Sequence, residues 1–258
     1  MIKVRDNVGL EGTYSLFDPP AAQYEAFPEG EEPVDFTNFS HGSRLRRREV
    51  SLAFNAIDGV EGLTEILTAL KEYGITATFF VNGEFIRRHP DAVQEIASSG
   101  HEVGSLFYTY FNMTDARFRI DKEFIKRGLA RNEDDYFVAT GDELSLLWHA
   151  PYYFVSSFII EASREMNYVY VGRDVDSLDW VTREYARNSD GGLYYPAPVL
   201  VEKILEKKQP GSIIPIRVGI PEGTREDYLF NNLGVLINGL ISQGYDVVPV
   251  STLIRNAR

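Results

Sequence analysis

The sequence contains no cysteine among its 258 residues and only four histidines. The absence of cysteine excludes disulfide bonds, thiolate zinc sites, iron–sulfur clusters and a cysteine nucleophile. Four imidazoles leave room for at most one histidine-rich metal site. They lie at His41, His89, His101 and His149. The positions of these residues therefore decide how much metal chemistry the chain can support.

Positive charge and long apolar runs are also scarce. The chain has 26 basic against 38 acidic residues, a net charge of −12. This balance argues against a nucleic-acid partner, which needs clustered Lys and Arg, and against an anionic membrane surface. No apolar stretch approaches the roughly 20 residues that cross a bilayer, and Met1–Leu10 carries no signal-peptide pattern. The remaining composition, 44% hydrophobic and 25% charged, predicts a globular protein with a sizeable core.

The first 43 residues differ in composition from the rest. Asp18–Pro20 and Phe27–Pro33 are rich in proline and acid, which favours an extended arm, and Asn7–Phe17 is compatible with a short hairpin. We therefore divide the chain into an arm or hairpin over 1–43 and a domain over 44–258. The basic run Arg44–Arg48 is interpreted as a solvated lead-in to the first strand of that domain.

From Val50 onward, strand-like runs alternate with segments of helical period. The predicted strands are Val50–Phe54, Ala77–Val81, Glu102–Ser105, Tyr168–Gly172, Ser212–Arg217 and Asp246–Pro249. The predicted helices are Leu63–Tyr73, Asp91–Ser99, Arg117–Asn132, Val155–Met166, Pro198–Lys208 and Tyr228–Gln243. This alternation predicts an α/β fold with a parallel sheet, either closed as a barrel or open and doubly wound. In both architectures function lies at the carboxyl ends of the strands.

Five segments, in a fixed order and spacing, carry a resemblance to a known family. They are Leu70–Gly83, Gly100–Gly104, Asp176–Trp180, Pro210–Ile214 and Gly244–Val250. Together they resemble the NodB-homology polysaccharide deacetylases, which remove N- or O-acetyl groups from chitin, peptidoglycan and related glycans. The resemblance covers nearly all of Val50–Ile254. It implies a distorted (β/α) barrel of seven or eight strands, an acetylated polysaccharide as partner, and a place outside the cytoplasm.

The resemblance also implies a set of catalytic positions. The family uses a carboxylate base, an aspartate and two histidines on a divalent metal, and a histidine acid, which together carry out metal-assisted hydrolysis. Here Asn55 stands in place of the base and Ala56 in place of the metal-binding aspartate. Leu106 and Tyr110 stand in place of the two histidines. Asp58 replaces the missing aspartate only if two residues are inserted, and otherwise it is a turn residue.

The remaining family positions are also altered. His149 stands where the family has an arginine that orients the base, and it is either a groove-lining hydrogen-bonding residue, a base or a lone metal ligand. Asp179 and Trp180 match the family's aspartate and groove tryptophan. Arg217 replaces the histidine acid and is expected to pair with Asp179. We therefore expect no metal and no confident catalytic residue, and we expect His101 to be a packing residue.

Three functions fit this pattern. The favoured one is a domain that no longer catalyses and binds a glycan in its remaining groove, with Asn55, His149, Asp179 and Arg217 as hydrogen-bonding residues. Its stacking residues are Tyr108, Tyr110, Tyr152, Tyr153 and Trp180, for which core packing is the alternative role. The second is an active deacetylase with zinc or another divalent metal on a rearranged site that includes Asp58, His149 and Asp176 or Asp179. The third is a structural or interaction module of a larger protein.

Overall fold

The computed structural model describes the backbone of residues 2–5 and 11–14 and, in full, residues 26–189 and 192–258. The strands are β1 Ile2–Arg5, β2 Glu11–Tyr14, β3 Asn38–Phe39, β4 Glu49–Ala56, β5 Thr78–Val81, β6 Glu102–Ser105, β7 Leu147–Trp148, β8 Val169–Val171, β9 Ile213–Arg217 and β10 Asp246–Val247. The α-helices are α1 Leu63–Tyr73, α2 Gly83–Arg88, α3 Pro90–Ser98, α4 Lys122–Thr140, α5 Ser157–Arg164, α6 Arg183–Asn188, α7 Ala197–Lys207, α8 Leu233–Ser242 and α9 Val250–Ala257. Short 3₁₀ turns cover Pro151–Tyr153 and Leu229–Asn232.

The main sheet is parallel and curled, and it is built around β4. All residues of β4 are buried, as expected for a strand covered on both faces. One edge of β4 pairs with β9 and the other with β5, and the order then continues through β6, β7 and β8 to β3. The amino-terminal end of β4 also pairs with β10. The α/β barrel-type architecture predicted from the sequence is confirmed.

Helix α1 illustrates how the sequence pattern becomes packing. Leu63, Ile66, Leu67 and Leu70 all lie on its buried face. Gly74 ends the helix in the left-handed region, with φ of 64°, where glycine is the residue least penalised. Both features agree with the sequence prediction.

Helix α4 corrects a predicted boundary. The sequence predicted a helix over Arg117–Asn132, whereas the observed helix runs over Lys122–Thr140. Its start is set by Asp121, whose side chain accepts a hydrogen bond from the Phe124 amide at 2.7 Å. Its end is set by Gly141, which has φ of 79°. These capping residues, and not the polar periodicity, fix the limits of the helix.

The sheet includes residues that the sequence analysis placed in the arm. Strand β3 pairs in parallel with β8, and Phe39 is fully buried. Farther upstream, β1 and β2 pair in antiparallel, a hairpin that starts earlier than the Asn7–Phe17 span considered above.

Arg44 ties the arm to two later parts of the chain. Its side chain is 3% exposed and bonds both oxygens of Asp174, at 2.8 and 2.9 Å, together with Glu32 and the Pro210 carbonyl. The predicted solvated lead-in is therefore wrong at Arg44, because this guanidinium is buried and ion-paired. In the described part of the chain, no helix combines the length and the apolar character that a membrane span needs.

Candidate ligand-binding site

The register of the sheet brings the altered family positions to one edge. Asn55, near the end of β4, lies opposite Arg217 at the end of β9. Farther along the same sheet, Ser105 of β6 lies opposite Trp148 of β7, so that His149 comes at the carboxyl end of β7. Because carboxyl ends of parallel strands meet at one edge, side chains distant in sequence converge there.

Asn55, His149 and Tyr153 form a hydrogen-bonded stack at this edge. Oδ1 of Asn55 lies 3.0 Å from Nε2 of His149, and its Nδ2 lies 3.2 Å from the Tyr153 hydroxyl. The imidazole stacks on the Tyr153 ring at 4.2 Å with an interplanar angle of 5°, and it meets Phe80 edge-on at 4.8 Å. His149 is only 1% exposed, so these neighbours replace nearly all its contact with solvent.

Burial keeps the His149 ring neutral. It lowers the pKa of His149 to about 3, and the positive charge of Arg173 acts in the same direction. A neutral imidazole has a single N–H, yet Nδ1 faces the Ala150 carbonyl at 3.0 Å while Nε2 faces the Asn55 amide. Both contacts are satisfied when Nδ1–H donates to Ala150 and the Asn55 amide is turned by 180°, so that its NH₂ group donates to Nε2. In that amide orientation the Asn55 oxygen accepts from the Tyr153 hydroxyl.

The loops that follow the strands contain strained backbone. Phe107 after β6, Tyr152 and Tyr153 after β7, and Leu178 after β8 have φ between 58° and 64°. Non-glycine residues in the left-handed region cost of the order of 1 to 3 kcal/mol each, and they cluster at functional sites. The strain at this edge therefore supports the choice of these strand ends as the candidate site.

Arg217 makes a different pair from the one predicted. Its guanidinium Nη2 donates to Oδ1 of Asp58 at 2.8 Å, whereas Asp179 accepts from the Arg217 backbone amide at 2.7 Å. The predicted ion pair between Asp179 and Arg217 is wrong, because the arginine side chain extends toward the loop after β4. Asp58, in the turn after β4, therefore pairs with the side chain of Arg217.

Asp179 and Trp180 belong to one loop, in which Asp176 bonds both the backbone of the turn and the Trp180 indole. Asp179 is buried, and this burial raises the pKa of its carboxyl group. The neighbouring Asp176 accepts from the Trp180 indole at 3.1 Å and from the Leu178 amide at 3.0 Å, which holds the strained turn. The Trp180 ring is half-buried and packs edge-on against Tyr185 at 4.9 Å.

The predicted stacking residues separate into two groups. Tyr110 and Tyr152 lie with their ring centroids 4.6 Å apart, and Tyr152 is 48% exposed. Tyr108 instead packs against Phe107 at 5.0 Å and against Phe124 at 6.1 Å, in a core cluster with Trp148 and Ile125. Two of the five candidate stacking residues, Tyr110 and Tyr152, thus form a partly exposed pair on the loops after β6 and β7, whereas Tyr108 lies apart from them.

The other altered positions are part of the core. Ala56 and Leu106 are fully buried, and Leu106 packs in a cluster that includes Phe80. His101 stacks on Phe79 at 5.2 Å, and burial lowers its pKa. His101 is therefore a packing residue, as the sequence predicted.

The residues at the metal positions of the family do not fit a divalent ion. Alanine and leucine side chains have no lone pair for a metal. Burial raises the pKa of the Tyr110 phenol to about 12, so this group is neutral at ordinary pH. Within residues 26–189 and 192–258, no group of three or more His, Asp or Glu side chains is placed to hold a metal.

Arg173 is a residue of the site that sequence reasoning missed. Its guanidinium lies 5.2 Å from the centre of the Tyr153 ring and pairs with Asp176 at 3.1 Å. It links the stack of His149 and Tyr153 to the loop that carries Trp180. Its place just after β8, at the carboxyl edge of the sheet, was the one signal in the sequence.

Comparison with known proteins identifies the family. The family model for polysaccharide deacetylase matches residues 42–171, just over half of the chain. The protein belongs to the polysaccharide deacetylase family. The resemblance drawn from the five sequence segments is therefore confirmed.

Two relatives represent the sequence matches. A peptidoglycan-N-acetylglucosamine deacetylase of Bacillus cereus is 26% identical over 175 residues, which are 67% of this chain and 60% of the relative. This chain thus spans less than two thirds of that protein. A chitooligosaccharide deacetylase of Bradyrhizobium is 22% identical over 230 residues, which are 86% of this chain and 97% of the relative.

Solved structures share the fold. A CE4 family pseudoenzyme from Bacillus anthracis superposes with a TM-score of 0.70 at 22% identity, over 86% of this chain and 70% of that one. PdaA of Bacillus subtilis, a family 4 carbohydrate esterase, gives a TM-score of 0.70 at 19% identity, over 86% and 87% of the two chains. At this identity the likeness establishes the fold and no more.

Proposed function

We propose that this protein is a non-catalytic polysaccharide deacetylase-like domain that binds a glycan in the groove at the carboxyl ends of its strands. The observation that carries the proposal is the buried stack of Asn55, His149 and Tyr153, which stands where the family has its base. A carboxamide has no useful proton affinity at neutral pH. An imidazole that is neutral above about pH 3 is a poor acid, and because both of its nitrogens are hydrogen-bonded it has no lone pair free for a metal.

The groups around the stack suit recognition of a sugar. The partly exposed pair of Tyr110 and Tyr152 offers aromatic rings for contact with the apolar faces of a sugar ring, and the half-buried Trp180 offers another from the loop after β8. The guanidinium of Arg217, whose side chain is 13% exposed, offers hydrogen bonds to hydroxyl or acetamido groups, whereas the buried Asn55 and His149 already bond to each other. Aromatic walls with a few placed polar groups are the usual composition of a small-molecule site.

The runner-up is an active deacetylase with a rearranged metal site. That reading needs Asp58, His149 and Asp176 or Asp179 to share an ion. Each of these groups has another partner: Asp58 pairs with Arg217, His149 contacts Asn55, Asp176 pairs with Arg173, and Asp179 accepts from the Arg217 amide. These engagements favour the binding domain, and we extend the proposal to the extracytoplasmic location that the family resemblance implies.

An acetate-release assay separates the two readings. The wild type is incubated with N-acetylglucosamine oligomers and with acetylated xylan, each with added Zn²⁺, Co²⁺ or Ni²⁺. We expect no acetate above the protein-free blank. Metal-dependent turnover that His149→Ala abolishes would overturn the proposal in favour of the active deacetylase.

A titration calorimetry experiment tests binding directly. Wild type should bind N-acetylglucosamine oligomers, and Tyr152→Ala should weaken binding by about three- to tenfold, since an aromatic contact contributes about 0.5 to 1.5 kcal/mol. Phe137→Ala is the matched control, because Phe137 is an equally exposed aromatic residue (56%) near the end of α4. Failure of the wild type to bind either N-acetylglucosamine oligomers or acetylated xylan would favour the structural or interaction module instead.

A further inference from the structure

The guanidinium of Arg217 lies between the two loops that carry the metal positions of the family. Its Nη2 donates to Asp58, which follows Ala56 by two residues on the loop after β4. Its positive charge also acts on Tyr110, on the loop after β6, where it opposes the effect of burial on the pKa of the phenol. Ala56 and Tyr110 are both aligned with metal ligands, so Arg217 brings a fixed positive charge to that region.

This guanidinium has unused hydrogen-bonding capacity. A guanidinium carries five N–H donors, and among the described residues only Nη2 of Arg217 donates to a side chain. Its Nε is buried without any partner, and its side chain is 13% exposed. Nη1 also has no acceptor in the described part of the chain, but unlike Nε it is not buried, so an oxygen supplied from outside the chain can reach it.

We infer that the guanidinium of Arg217 takes the place of the family's metal ion as the positive charge of the groove, and donates to the carbonyl oxygen of an acetamido group on a bound glycan. The inference rests on the proposed function and specifies which part of the glycan is recognised. A divalent ion between the same two loops would be repelled by this charge, so binding requires no metal.

The charges around Arg217 favour an acetamido group over a carboxylate. Asp58 neutralises the guanidinium through the 2.8 Å ion pair, and the Asp179 carboxyl lies against the Arg217 backbone amide. The whole chain has a net charge of −12. A ligand carboxylate would therefore meet net negative charge, whereas a neutral carbonyl accepts the hydrogen bond without this repulsion.

Titration calorimetry, run with and without EDTA, tests the inference. The probes are a pentamer of N-acetylglucosamine, its fully deacetylated counterpart and a uronic-acid oligomer of the same length. The proteins are the wild type, Arg217→Gln, Asp58→Asn and the control Arg46→Gln. Arg46 is an exposed arginine whose Nη1 bonds the Asn256 carbonyl, close to the start of β4 and away from the strand ends. Thermal melts confirm that each variant is folded.

We expect the wild type to prefer the acetylated pentamer with EDTA present. Arg217→Gln should weaken that binding by about ten- to a hundredfold, the loss typical of a hydrogen bond to a charged group. Arg46→Gln should leave it unchanged. Asp58→Asn, which removes the neutralising charge, should raise the affinity for the uronic-acid oligomer relative to the acetylated one.

The outcomes distinguish this inference from the function on which it rests. A wild type that binds none of the three oligomers, with or without EDTA, overturns both the proposed function and the inference. Binding that Arg217→Gln leaves unchanged, that EDTA abolishes, or that is equal for the acetylated and deacetylated pentamers overturns the inference and leaves glycan binding standing.

Discussion

His149 shows at the residue scale how burial decides what a side chain can do. The sequence left it as a base, a metal ligand or a groove residue. In the structure both ring nitrogens have partners, and one face of the ring is covered by Tyr153. The same imidazole in an open groove would titrate near its ordinary pKa of 6.5, whereas here burial lowers the pKa to about 3.

The pKa of His149 predicts a pH dependence of stability. On unfolding, the imidazole regains its ordinary pKa, so below about pH 6.5 the unfolded chain binds a proton that the folded protein does not. The free energy of unfolding should therefore fall as pH falls between about 6.5 and about 3, with His149 contributing on the order of 1 kcal/mol per pH unit.

Urea denaturation at pH 7, 6 and 5 checks this prediction. His149→Gln should lack the part of the slope that His149 contributes, while the half-buried His101 stays the same in both proteins. An NMR titration of the wild-type ring should find it neutral at pH 5. A midpoint near pH 6.5 would contradict the structure.

At the scale of elements, two buried asparagines fix the loop after β6. Asn82 caps α2 by accepting from the Glu84 amide, and its Nδ2 donates to the carbonyl oxygens of Leu106 and Phe107 at 3.0 and 2.9 Å. Asn132 of α4 donates to Ser105 Oγ and to the Val81 carbonyl. These bonds hold Ser105, Leu106 and Phe107 in place at the start of the loop that carries Tyr110.

Asn82→Ala should therefore destabilise the protein by about 2 to 4 kcal/mol, because it removes three hydrogen bonds and leaves the Leu106 carbonyl without a donor, while the Phe107 carbonyl keeps the Gly83 amide. The change is measured as a shift in the urea midpoint. Asn112→Ala is the control: Asn112 makes local turn bonds to Thr114 at a partly exposed position and should cost less than about 1 kcal/mol. Equal effects of the two substitutions would contradict the role assigned to Asn82.

At the scale of the whole molecule, Arg44 joins parts of the chain that are far apart in sequence. It contacts Glu32 in the arm, Asp174 after β8 and Pro210 before β9, and Ser212 bonds the same aspartate. The backbone amides of Asp174 and Val175 both donate to Ile213, so the chain after β8 lies against β9. This buried ion pair therefore helps to hold the curled sheet together.

Loss of the Arg44 side chain should be costly. Arg44→Met leaves Asp174 with an uncompensated, largely buried charge and should lower the free energy of unfolding by about 3 kcal/mol. Arg117→Met is the comparison, because Arg117 pairs with Asp115 at the surface and is 82% exposed. Its removal should produce no measurable change in the urea midpoint. An Arg44→Met protein with an unchanged free energy of unfolding would show that the buried ion pair is not needed to hold the curled sheet together.

The protein as a whole should also be indifferent to divalent metals. A ligand that binds only the folded state raises the melting temperature with its concentration. Zn²⁺, Co²⁺ or Ni²⁺ at tens of micromolar, and EDTA, should each leave the melting temperature of the wild type unchanged. A rise in melting temperature that EDTA reverses would reveal a metal site. It would contradict the conclusion that Ala56, Leu106 and Tyr110 do not fit a divalent ion.

The sequence by itself determined the α/β alternation, the buried face of α1, the family and the level at which the site lies. These features follow from periodicity, capping residues and motif order, which are local properties of the chain. It could not locate the limits of α4, because the polar pattern of Arg117–Asn132 begins before the Asp121 cap and ends before the Gly141 cap. It also could not show that β3 joins the sheet from within the proline-rich arm.

Only the tertiary structure decided which side chains meet at the site. The sequence predicted that Arg217 pairs with Asp179, whereas the structure places Asp58, on the loop after β4, against the guanidinium and leaves Asp179 on the Arg217 backbone amide. In the same way, with left-handed backbone at both residues, the Tyr152 ring is exposed and the Tyr153 ring stacks on His149. Such pairings depend on loop geometry between strands far apart in the chain, and no local pattern encodes that geometry.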